Sequence, residues 1–258
     1  MVMRGEPISD PPVLDCGGVG LLAGHLALSM DEHELSVQWT LALNGAPRGF
    51  QGIAAFHQVL ARAAEQQRAD LVLVDVGPNL GAINRAALLA ADQLIIPLAD
   101  SSLSMLELES LGPQLREWRE GWAERLKKRP PGMELPAGRL EPAGYLILQS
   151  VARLQRPMSI HSDWMTRIPS LYRESVLGET SLRGDVPADR DPNCLAISKR
   201  YESLMPLALE ARKPMFALKP ADGALGSHAR AVRDCYSDFQ ILTTKIAERA
   251  GVTLPGSS

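Results

Sequence analysis

Two kinds of apolar spacing alternate along the chain. Unbroken runs at residues 71–74 (LVLV), 94–98 (LIIPL) and 144–150 (GYLILQS) lack polar alternation, which predicts strands buried on both faces of a parallel sheet. Elsewhere apolar residues return every three or four positions. Ile53, Phe56, Val59, Leu60 and Ala63 predict a helix over 50–67 with that stripe in the core, and Leu111, Leu115, Trp118, Trp122 and Leu126 predict a second. In that pattern the tryptophans read as packing residues. Val232, Cys235, Phe239, Leu242 and Ile246 predict a C-terminal amphipathic helix that closes the domain or meets a partner. Further helices are predicted over 31–41, from near Leu80 through INRAALLAAD, and over 195–209 with Pro214 as the stop. Strand, helix and strand in succession over 69–98 make a compact unit of the α/β class.

Breaks in the pattern divide the chain. Residues 1–18, rich in proline and glycine, read as an irregular leader, and 19–258 as one α/β domain. Residues 98–104 are expected to be a loop in which Ser101, Ser102 and Ser104 offer caps to the next helix. Pro113 is expected to bend or restart that helix. Its end, with Arg125, Lys127, Lys128 and Arg129, opposes the negative end of the helix dipole or offers a small anionic contact. Residues 130–142 form a surface connection, and the final PGSS is expected to fray.

Composition narrows the class. The 258 residues are 45% hydrophobic and 22% charged with a net charge of −3, ordinary values for a folded domain and no overall electrostatic case for nucleic acid. Cys16, Cys194 and Cys235 are widely spaced, without a metal-binding pair, and fit a reducing cytoplasm. No run reaches membrane-spanning length. There is no G-x-S-x-G elbow or metal-spaced His/Glu pair.

The candidate chemistry sits at Asp75, at the carboxyl end of the first apolar run and followed by Val76-Gly77-Pro78-Asn79. Ligands of parallel sheets collect at this end of the strands, and small turn residues let backbone approach them closely. An aspartate there either holds a magnesium-bound water or caps the next helix. The stretch DVGPNLGAINRAALLAADQLIIPL resembles the D-x-P-P-x-L-G, helix, A-A-D, I-P-[LV] segment of the ParA/MinD-type partition ATPases. SLSMLELESLGPQLREWREGW, GYLILQS, TRIPSLYRESVL and DPNCLAISKRYESLMPLALEARKPMFALKPADG resemble later parts of those proteins in the same order.

The resemblance implies a three-layer P-loop NTPase-like fold, a mostly parallel sheet with helices on both faces. It implies ATP and Mg2+ as cofactors, with Asp75 as the catalytic and magnesium-holding acid and Gly77, beside Pro78, sensing the terminal phosphate. Gln149 stands where relatives carry an asparagine that touches the base. Arg167, Ile168 and Pro169 match an element near the adenine, the last two offering it an apolar wall, and Arg153 and Arg156 fall in a loop that could face a ligand. Relatives dimerise around ATP, relay their state to a protein partner, and in some cases bind DNA nonspecifically. No membrane partner is implied.

The family's phosphate loop, K-G-G-V-G-K-[ST], is not in this sequence. Cys16-Gly17-Gly18-Val19-Gly20-Leu21-Leu22 keeps the GGVG but has Cys16 and Leu21 in place of the lysines and Leu22 in place of the hydroxyl. VGLLAGHLALS alternatively resembles a later family segment that leads toward Trp39, so the chain would begin after the first strand, phosphate loop and first helix. Losing those cations and amides removes the largest electrostatic stabilisation of phosphoryl transfer, and the chain alone is expected not to hydrolyse ATP. A missing interior strand also leaves unpaired edges, to be closed over, filled by another polypeptide, or explained by a mis-started or truncated form of a longer ATPase. The expectation is a partition- or positioning-ATPase homologue, with a non-catalytic protein-interaction module on the same scaffold as the alternative.

Overall fold

A computed structural model describes residues 9–99, 101–149, 162–180, 186–199 and 201–254. The chain divides into two compact units, Met1–Leu94 with Gln114–Glu141, and Ile95–Pro113 with Pro142–Ser258.

The first unit opens with a short antiparallel hairpin, β1 (Leu14–Asp15) and β2 (Gly20–Leu21), followed by a 3-10 turn at Leu26–Asp31. Helices α1 (Glu32–Leu43), α2 (Pro47–Gln67) and α3 (Ala82–Ala90) come next. Pro47 starts α2 where its missing N–H costs nothing, and Arg68 ends it in the left-handed region at φ 50°. Leu35, Trp39 and Ala42 of α1 meet Phe50 and Ile53 of α2, Ala86 and Leu89 of α3, and Trp122. Trp122 stands edge-on to Trp39 at 5.9 Å and donates its indole N–H to the Pro136 carbonyl at 2.9 Å. Trp118 is buried too, so both tryptophans pack, as their spacing implies. Arg125 donates to the Trp39 carbonyl at 3.0 Å and Lys128 to that of Leu43 at 2.9 Å, so this basic end ties α4 (Ser102–Leu126) to α1.

The second unit holds a three-stranded sheet in the order β3 (Gln93–Ala99), β4 (Glu141–Gln149), β5 (Cys194–Lys199). β4 and β5 run parallel, Leu146 opposite Ala196 through Gln149 opposite Lys199. Helices α5 (Ser162–Leu171), α6 (Met205–Ala211) and α7 (Ser227–Ala250) accompany the sheet, and a π-helical turn, Tyr172–Leu177, follows α5. The expected C-terminal helix is α7. Its Cys235 is fully buried among Tyr201, Leu204, Leu218 and Ala224, and its Lys245 and Arg249 donate to the carbonyls of Cys194 and Pro192. The architecture is α/β, a parallel sheet flanked by helices, as the sequence predicts.

Four expectations are corrected. Residues 71–74 enter no ladder among the described residues, and Leu71, Val72 and Leu73 are 41, 42 and 74% exposed. An apolar run becomes a strand only where a neighbour accepts its hydrogen bonds, and no described strand lies beside this one. Residues 195–209 are not one helix. Cys194–Lys199 pairs with β4 as a strand, and helix resumes only at Met205. The loop expected over 98–104 is shorter, since β3 runs to Ala99 and α4 starts at Ser102. Helix α4 continues through Pro113 without a break.

Candidate functional site

The loop between Asp75 and α3 is built from within the first unit. Asn84, in the first turn of α3 and buried, donates its side-chain amide to the carbonyls of Gly77 at 2.7 Å and Asn79 at 2.8 Å. Asn79 in turn accepts the Gly81 N–H on its side-chain oxygen at 3.0 Å, an Asx turn that leads the chain into the helix. The Glu32 carboxylate, at the start of α1, accepts the N–H groups of Ala82 and, at 3.1 Å, Ile83. It satisfies two of the orphan donors of α3 and places a negative charge at the positive end of its dipole. Position 81 must stay small for this contact, because a Cβ there would lie 2.5 Å from Glu32 Oε1.

Asp75, Gly77 and Pro78 are therefore held together and exposed. Asp75 makes no hydrogen bond or ion pair among the described residues, and the amides of Val76, Gly77, Asn79 and Leu80 have no acceptor there. A free carboxylate suits a hydrated divalent cation. The described residues bring a triphosphate no cation. No lysine or arginine contacts this loop among the described residues, and Glu32 already occupies the first amides of α3. The Arg85 guanidinium, one turn along α3, stacks on Trp39 at 3.8 Å instead of facing the loop's anions.

The other predicted residues belong to the second unit. Gln149 ends β4. Arg167, Ile168 and Pro169 lie inside α5, where Arg167 is exposed while Ile168 and Pro169 are buried, so neither apolar residue presents a wall to a ring. Arg153 and Arg156 lie outside the described residues. The GGVG stretch is a hairpin turn. The Cys16 N–H donates to the Val19 carbonyl at 2.8 Å, the Gly18 N–H donates to Asp15 Oδ1 at 3.0 Å, and Gly17 and Gly18 take φ of 73° and 90°. The turn accounts for its glycines without a ligand, and the acid at its mouth opposes an anion.

Sequence reasoning did not assign roles to Glu32, Asn79 and Asn84. Asn84 carried a signal, an uncharged polar residue that with Arg85 interrupts a helix whose other residues are apolar. Glu32 carried none, for its partners lie 50 and 51 residues away. No group of three or more His, Cys, Asp or Glu poised for a metal occurs among the described residues, nor does a helix long and apolar enough to cross a membrane.

Residues 25–128 match the family model described as an AAA domain. No curated protein matches the chain. Among solved structures, a crystal structure of a Corynebacterium diphtheriae protein is 26% identical, covers 61% of this chain and 56% of that one, and superposes with a TM-score of 0.48. This chain thus spans little more than half the length of that protein. The family match contains the whole of α1, the Asp75 loop and α3, and agrees with a P-loop NTPase-like domain without singling out the partition ATPases.

Proposed function

We propose that this chain is a homologue of the ParA/MinD-type partition and positioning ATPases that does not hydrolyse ATP by itself. The observation that carries the reading is the Asp75–Gly81 loop, an acid and a Gly-Pro turn fastened by Asn84 to the head of a helix, inside the segment that matches the AAA-domain family. In this reading Asp75 holds magnesium through water, the Gly77 amide faces the terminal phosphate beside Pro78, and Gln149 and Arg167 serve the base. Because the loop offers a triphosphate no cation, phosphates bound here depend on lysines that another polypeptide or a further segment brings. A protein partner and a homodimer follow from the resemblance, as does nonspecific DNA contact, and the cysteine pattern favours a cytoplasmic location. The test is phosphate release from magnesium-ATP by the purified chain. The reading expects no turnover above background, and turnover lost in Asp75→Ala would overturn it.

A second reading, a non-catalytic protein-interaction module, draws on the exposed run at 71–73. Three consecutive exposed apolar residues with unpaired backbone among the described residues offer a partner strand both main-chain and side-chain contacts. Under this reading Leu73→Lys abolishes partner capture while leaving the fold intact.

A further inference from the structure

Several basic groups of the first unit have protein acceptors among the described residues. Arg48 pairs with Glu34 at 2.8 Å, Lys127 with Glu124, Lys128 with a backbone carbonyl, and Arg125 with two. Arg85 has none among the described residues, although it is half-buried. Its guanidinium lies 3.8 Å from the centre of the Trp39 ring and 5.8 Å from that of Trp118, a stacked position that fixes the planar group. A second guanidinium, Arg125, stands 5.4 Å from the same Trp39 ring. The carboxylate with the strongest influence on Arg85, Glu117, forms no ion pair with it and accepts instead from Gln114 at 3.0 Å. Burial and then the Arg125 charge pull Arg85 down to about 10, the mark of a cation short of counter-charge. Two buried donors nearby, Arg85 Nε and the indole N–H of Trp39, also lack acceptors, and Trp39 is only 4% exposed.

Half-buried charge and buried donors are normally matched by acceptors. Here donors collect and acceptors do not. We propose that Arg85, reinforced by Arg125 and framed by Trp39 and Trp118, is a binding site for an oxyanion, a phosphate or carboxylate group engaging the outer edge of the Arg85 guanidinium. The planar fork suits two oxygens of one group, and the indole faces hold the fork still while it binds. The site stands apart from the Asp75 loop and does not depend on the nucleotide reading.

The test is a titration of the full chain with sodium phosphate, and separately with sodium acetate, at ionic strength held constant with sodium chloride. The readout is the NMR signals of the Arg85 guanidinium and the Trp39 indole. The expected result is a saturable shift at both groups. Saturation by phosphate alone assigns a phosphate, and saturation by acetate also assigns a carboxylate. Arg85→Gln should abolish the indole shift, and Arg125→Gln should weaken binding about tenfold, as loss of a charged contact does. Arg85→Lys keeps the charge without the fork, is a fallback should the glutamine variant not fold, and should also weaken binding. Arg48→Gln should change nothing. A shift that rises linearly without saturating, or persists in Arg85→Gln, overturns the proposal.

Discussion

The Glu32 contact makes a quantitative prediction. Glu32→Ala removes an acceptor from two α3 amides and a negative charge from the head of that helix. Loss of an N-terminal cap costs about 1 kcal/mol, within a range of about 0.5–2. Loss of the charge–dipole term adds about 0.3–1 kcal/mol. Together they amount to about 1.5 kcal/mol acting locally, or roughly tenfold faster opening of the first turn of α3. Because Asn84 fastens the Gly77 and Asn79 carbonyls to that same turn, the loop should loosen with it. Hydrogen exchange of the full chain measures this directly. The amides of residues 81–85 should exchange about tenfold faster in Glu32→Ala, while those from the middle of α2 should not change. Glu32→Gln keeps an acceptor oxygen and should show only about a two- to fivefold effect. Unchanged exchange over 81–85, or a uniform rise across the first unit, would refute the idea that Glu32 clamps the loop.

Two other perturbations probe the second unit and the thiols. A Cβ at position 112 would run into the Ser175 carbonyl oxygen, a backbone atom that cannot rotate aside. Gly112→Ala should therefore cost at least about 2 kcal/mol and lower the thermal midpoint by at least about 4 °C; a wild-type midpoint would contradict the packing of α4 on the π-helical turn. Cys16 is exposed, whereas burial pushes the thiols of Cys194 and Cys235 up to about 11. A disulfide reagent at neutral pH should modify one thiol quickly in the folded chain and all three in denaturant. Buried thiols that stay neutral stabilise the fold below the unfolded thiol pKa of about 8.5. That contribution is lost as pH rises toward 11, so the thermal midpoint should fall over this window, and less steeply in a Cys194→Ala, Cys235→Ala double variant. Equal reactivity of all three folded thiols would refute these placements.

What was legible in the chain was what depends on local spacing. The three-four stripes located α2, α4 and α7, and they marked Trp118 and Trp122 as packing residues. The sheet was less legible, because a short apolar run does not say whether it pairs. CLAIS became a strand through its register with β4, although its spacing also suited a helix, and LVLV stayed unpaired for want of a neighbour. At the candidate site, the position of Asp75 and its Gly-Pro loop could be read directly. The device that holds the loop could not, since Glu32 reaches α3 only through the tertiary packing of α1 against it. Ile168 likewise looked accessible in sequence, and its burial became visible only once α5 formed around it.

In the proposed reading the Asp75 loop keeps the acid of a nucleotide site but not its cations. Calorimetric titration of the purified chain with magnesium-ATP, with Asp75→Ala in parallel, addresses it most directly. The reading predicts binding no tighter than millimolar, weakened further by the substitution. Micromolar binding lost in Asp75→Ala would mean that this chain cradles the triphosphate after all, and would contradict it.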